Sequence, residues 1–138
     1  MARFRDQILL MYALLTFGCS TLCAAPSCHD WGANSRARPQ EERATARRLQ
    51  QPSLLFLAVA CLVQVLLGRQ YVIENSAFSD IFTAEDSPLR PLRDMPHHVR
   101  KIDQCMAGAA IESQPIKKAT HIQSNLTFGG ICALRRLS

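Results

Sequence analysis

With 138 residues, 48% of them apolar and 20% charged, the chain is long enough to bury one hydrophobic core and too short for several domains. Sixteen Lys and Arg against eleven Asp and Glu leave a net charge of +5, which permits a polyanionic partner without requiring one. Six cysteines stand at 19, 23, 28, 61, 105 and 132 with no CxxC pair, and His29, His97, His98 and His121 do not fall at zinc-finger spacing, so no metal site is expected. A disulfide framework is conceivable in a secreted chain, but the same spacing is too irregular to argue for one.

The N-terminus has two readings. Arg3 and Arg5, the apolar run from Ile8 to Phe17 and the small residues Leu22-Cys23-Ala24-Ala25 imitate a secretory signal. Asn125-Leu126-Thr127 is a glycosylation sequon that would matter only in that pathway. On this reading the protein is small and secreted, or membrane-associated if the segment stays uncleaved. Against it, Asp6 interrupts the basic start and Pro26 would follow the cut after Ala25. On the competing, cytoplasmic or nuclear reading, residues 8–17 form a buried helix and residues 20–25 a core strand ending at Pro26-Ser27-Cys28. Residues 1–19 are therefore set apart as an apolar helix or signal-like segment.

A basic loop over 26–38 comes next, then a helix over 40–67. Its first half is rich in Glu, Arg, Ala and Gln, good helix formers. Pro39 starts it and Pro52 is expected to kink or divide it. The apolar run Leu54 to Leu67 contains Gln64 and is short for a bilayer span, which needs about twenty residues, so it suits a core helix. Gly68 reads as its C-cap.

Gln70 to Glu74 is β-branched and aromatic and reads as a buried strand, with a short helix expected over 76–82. Residues 83–97 hold Pro88, Pro91 and Pro96 and read as an irregular surface loop. Strands over 99–105 and 118–124, joined by a turn over 107–115, look like an antiparallel hairpin. Strands separated by helical stretches in the first half predict a β-α-β unit with parallel pairing.

Ligands of open α/β sheets sit at the carboxyl ends of strands. Two such ends carry polar residues here. Cys28 follows one, and a reactive thiolate there would need cations such as Arg36 or Arg38 nearby. Glu74 and Asn75 end the other. Glu74 would hydrogen-bond a substrate ring with Asn75 fixing its position, or simply cap the next helix or pair with Arg69. Basic residues cluster at Arg36 to Arg48, at Arg90 to Lys101, and at Lys117, Lys118, Arg135 and Arg136. Each cluster is a solvated face or a phosphate-binding surface.

Four segments, Pro26-Ser27-Cys28-His29-Asp30-Trp31-Gly32, Gly68 to Ser76, Asp103-Gln104-Cys105-Met106-Ala107-Gly108 and Lys117-Lys118-Ala119-Thr120, occur in an order that resembles a family found beside retroelement reading frames in single-celled algae. That family in turn resembles the middle of a cytosine-5 DNA methyltransferase domain. The resemblance spans residues 18 to 128, with residues 129–138 left as a basic tail. It implies an α/β fold with a partial Rossmann-like, methyltransferase-like sheet, incomplete at its N-terminal side. Cys28 would be the thiolate that attacks cytosine C6, Glu74 and Asn75 would hold the ring, and Gln114, Lys117 and Lys118 would contact nucleic acid. The cofactor, were the chain active, would be S-adenosylmethionine.

Ser27 intervenes between Pro26 and Cys28, Ser76 follows Asn75 where the methyltransferases have valine, and no Gly-rich cofactor loop precedes Cys28. The expectation is therefore a mobile-element-derived fragment without cofactor or methyl transfer, with weak nucleic-acid binding and a second polypeptide completing the sheet.

Overall fold

The structure, a computed structural model, describes residues 4–16, 18, 20–27, 29–103, 110–111, 114–115 and 119–125. Helix α1 (Phe4–Thr16) leads into strand β1 (Thr21–Ala24), and a 3-10 turn (Ala33–Ala37) precedes the long helix α2 (Gln40–Leu66). Strand β2 (Gln70–Ser76), a second 3-10 turn (Arg90–Asp94), strand β3 (His98–Asp103), the two-residue strands β4 (Ala110–Ile111) and β5 (Gln114–Pro115), and β6 (Ala119–Ser124) complete the order.

The main sheet runs β1-β2-β6-β3. β1 and β2 are parallel, with Thr21 opposite Gln70 and Ala24 opposite Ile73, and α2 is the crossover between them. The β-α-β unit expected from the sequence is present. β6 is antiparallel to both β2 and β3, so the later strands pair as an antiparallel ladder, with the small β4·β5 ladder between them in sequence. The fold is thus mixed α/β.

Alternation along β2 decides which face is inside. Tyr71, Ile73 and Asn75 are buried, while Val72, Glu74 and Ser76 face the other way and are half-buried. The inner face meets Leu54 and Cys61 of α2, Trp31, and Ile81, Phe82, Leu89 and Leu92 from the connection to β3. Burying a large apolar side chain contributes about 1.5–3 kcal/mol, so this cluster dominates the stability of the domain.

Helix α2 does not break at Pro52. The proline is exposed, and the carbonyl of Arg48, which loses its bond to the missing N–H, belongs to another exposed residue that water can solvate. Its C-terminus ends as the sequence predicts. Gly68 takes φ +69°, its N–H bonds the Val65 carbonyl at 3.1 Å, and the Arg69 N–H reaches Gln64 at 2.7 Å. These two bonds are those of a Schellman motif. By length and composition α2 also passes as a membrane-crossing helix, yet its Leu54, Ala60, Cys61 and Gln64 face is buried within the domain.

Three expectations are corrected. The strand expected to stop at Glu74 continues to Ser76. Residues 77–82 form turns and irregular chain rather than a helix, because Ile81 and Phe82 are drawn into the core and the Ser79 hydroxyl accepts the Ile81 N–H. Residues 83–97 are not wholly surface. The buried Ser87 hydroxyl donates to the Ile81 carbonyl, and Leu89 and Leu92 close the core beneath the 3-10 turn.

Candidate functional site

The carboxyl ends of β1 and β2 lie side by side, and Asn75 ties them together. Its Nδ2 donates to the Pro26 carbonyl at 2.7 Å across 49 positions of sequence. Asn75 is buried on the core face of β2, whereas Glu74 lies on the opposite face. Neighbours on a strand cannot share a face. The amide therefore positions the loop after β1, not the carboxylate beside it in sequence. Cys28, Lys117 and Lys118 lie outside the described residues. Gln114 sits in β5, paired with Ile111.

That loop is held from its other side as well. The Ser27 hydroxyl accepts the His29 N–H at 3.3 Å, turning the chain so that Asp30 and Trp31 point inward. Buried Asp30 accepts a 2.6 Å bond from the Arg38 guanidinium and another from Gln50 Nε2. The Trp31 indole N–H donates to Gln50 Oε1 at 2.7 Å, and the Arg47 guanidinium lies 4.3 Å from the centre of its ring. Arg47 also donates to the Asp30 carbonyl and pairs with Asp86 at 3.2 Å. Arg47 and Gln50 are three residues apart and so face the same side of α2. Neither Asp30 nor Trp31 stands among the site residues expected from the sequence. An aromatic in a polar loop, facing a helix with Arg and Gln at i and i+3, was the available signal.

The basic cluster at Arg36 to Arg48 is thereby largely spent inside the molecule. Arg36 pairs with Asp80 at 2.6 Å, which raises its pKa, Arg38 pairs with Asp30, and Arg47 with Asp86.

Beside the Asn75–Pro26 junction opens a cavity of about 500 Å³. Ala24, Pro26 and Ser27 form one wall, Ser53, Leu54 and Leu57 of α2 another, and Gln7 of α1 reaches its rim. The Ser53 hydroxyl is buried there without a protein partner among the described residues. The volume suits a small organic ligand, and the lining offers apolar surface with a few polar atoms, which favours binding by shape.

One row of side chains crosses the sheet at this end, because Asn75, His121 and Lys101 stand opposite one another on β2, β6 and β3. His121 is held below its ordinary pKa, first by desolvation and then by Lys101 and Arg93. Deeper under the sheet, burial pushes the Tyr71 phenol up, and its hydroxyl lies within electrostatic reach of the Gln123 amide but outside hydrogen-bond geometry. Among the described residues no three His, Cys, Asp or Glu converge as metal ligands.

Comparison with protein-family models, with curated proteins and with solved structures finds no match to this chain.

Proposed function

We propose that the chain is a methyltransferase-like half-sheet of mobile-element origin that acts as a nucleic-acid-binding module without transferring methyl groups. The observation that carries the reading is the Asn75–Pro26 bond between the ends of two parallel strands, because it brings the Pro26-Ser27 loop and Glu74-Asn75, the two motifs of the resemblance, to one edge of the sheet. The +5 charge favours a polyanion. Cys28, Glu74 and Asn75 are the residues the resemblance would make catalytic, and Gln114, Lys117 and Lys118 those that would meet nucleic acid.

A second polypeptide that extends the sheet at β1 belongs to the same proposal. The two sheet edges differ in a way that supports it. The β3 edge carries exposed Arg100 and Lys101, charges of the kind that discourage further pairing, whereas β1 is the uncharged Thr21-Leu22-Cys23-Ala24 and has no strand on its outer side among the described residues.

The test uses the full chain. A cooperative melt followed by the emission of the single tryptophan, Trp31, comes first. Calorimetric titration with S-adenosylmethionine and anisotropy titrations of labelled DNA at low and high salt follow. No heat with the cofactor and salt-sensitive DNA binding are expected. Saturable cofactor binding would overturn the non-catalytic assignment, and silence towards every nucleic acid would overturn the binding assignment.

The secretory reading keeps one supporting observation. Phe4, Ile8, Leu9, Tyr12 and Leu15 of α1 are exposed, an apolar surface that a signal sequence would have. N-terminal sequencing of the protein recovered from a secreting cell separates the two, since cleavage after Ala25 fits secretion alone.

A further inference from the structure

Past the end of β2 the chain turns through Ala77 and Phe78, and the Phe78 ring is left 62% exposed. Two cations flank that turn. The Lys101 ammonium stands 5.8 Å from the centre of the ring, and Arg36 Nη2 donates to the Phe78 carbonyl at 3.3 Å. Arg36 is anchored by Asp80, which fixes the turn. Lys101 makes no ion pair among the described residues, and its side chain is exposed. The backbone at the base of the turn is fixed too, because the Ala77 N–H bonds the Ala119 carbonyl at 3.1 Å where β6 begins.

We propose that Phe78 is a stacking platform for an unpaired base of a single-stranded nucleic acid, with Lys101 taking a neighbouring phosphate. This rests on the nucleic-acid reading above and narrows it to single strands. A ring on a projecting turn can meet only a base whose face is free, and bases inside a duplex are already stacked on both sides. Stacking on an aromatic side chain tolerates any base, and an adjacent cation adds both attraction to the ring system and a phosphate contact. Because Lys101 shares its row with Asn75 and His121, a strand bound at Phe78 would lie along the carboxyl edge of the sheet.

The test is anisotropy of a labelled oligothymidine of about a dozen nucleotides, a length within the usual site sizes, against a labelled duplex. Wild type is compared with Phe78→Ala, Phe78→Trp and Lys101→Gln, and an unchanged cooperative melt followed by far-ultraviolet circular dichroism verifies the fold of each. Phe78→Ala is expected to weaken oligothymidine binding about 5- to 150-fold, the range of one lost stacking contact, while Phe78→Trp retains it. Lys101→Gln should lower the salt slope by roughly 0.7, as for one phosphate contact on a single strand. Oligothymidine binding that survives Phe78→Ala unchanged would overturn the platform and leave the nucleic-acid reading intact. Failure of wild type to bind either oligothymidine or duplex would overturn that reading itself.

Discussion

The segment 29–38 grips α2 through Asp30 and Trp31, with Arg38 holding Asp30 from within the segment, whereas α1 meets the rest of the chain through the buried Leu14 and through Arg69, whose guanidinium caps the Leu14 carbonyl at 2.8 Å. The first contact is over-determined, because charge-assisted hydrogen bonds, an aromatic stack and a fully buried indole all fix the same few residues. The second is a narrow stripe. On the outer side α1 shows Phe4, Ile8, Leu9 and Tyr12, and the far half of α2 shows Leu55, Val59, Leu62 and Leu66 at spacings of three and four. The bonds described for Asp30 and Trp31 thus run to α2 and to their own segment, with no α1 residue among their partners.

The strongest way to break this comparison is Trp31→Ala. Losing the buried indole, its bond to Gln50 and its stack on Arg47 should cost about 3–5 kcal/mol, read from denaturant unfolding followed by far-ultraviolet circular dichroism. A cost under about 1 kcal/mol would mean the loop is not anchored there. Asp30→Ala should follow at about 2–3 kcal/mol, because it strands the half-buried Arg38 and the Gln50 amide without their acceptor. A variant as stable as wild type would show those bonds to be replaceable by water.

Cys61 tests α2, on which both regions rest. Burial pushes its thiol up to about 12, above the value of about 8.5 in an unfolded chain. The unfolded state then loses its proton first as pH rises, so the contribution of the neutral thiol is whole below about pH 8.5 and declines by about 1.4 kcal/mol per pH unit above it. Wild type should therefore lose about 1.5 kcal/mol more than Cys61→Ala between pH 8.5 and 10, since the unfolded thiol is only half ionised at the start of that window. Parallel curves for the two proteins would contradict the burial of this thiol. The smallest effect belongs to α1. Leu9→Gln together with Leu15→Gln should change stability by no more than about 0.5 kcal/mol, as exposed sites do. A loss above about 2 kcal/mol would erase the contrast with the 29–38 segment.

Much of the frame was legible in the sequence because its signals are local. The β-branched run at 70–74 and the glycine at 68 needed no knowledge of the rest of the chain to be read as strand and cap. That Pro52 does not divide the helix is a matter of facing and not of sequence, because its cost depends on whether the freed carbonyl meets water. The expected helix at 76–82 failed for a tertiary reason, since Ile81 and Phe82 gain more from the core than from helical bonds. At the candidate site, Asn75 is singled out by its place near a strand end, but nothing in the sequence names its partner. The Pro26 carbonyl lies 49 positions away and carries no side-chain signature. The spread of Arg36, Arg38 and Arg47 over three different carboxylates is equally invisible, because Asp80 and Asp86 lie 44 and 39 positions from Arg36 and Arg47.

Asn125 stands at the end of β6 and behaves like one more residue of backbone. Its Oδ1 accepts the Tyr71 N–H and its Nδ2 donates to the Arg69 carbonyl, both at 2.9 Å, which closes the entry to β2. That Nδ2 is also the acceptor nitrogen of the Asn125-Leu126-Thr127 sequon. A glycan there would take one of its two hydrogens and force a bulky hydrophilic chain out through a half-buried seam between β2 and β6. Modification and folding thus compete for one atom. In a cell that routes this chain through its secretory pathway, sugar occupancy at Asn125 would act as a clock, recording whether the transferase or the closing sheet arrived first.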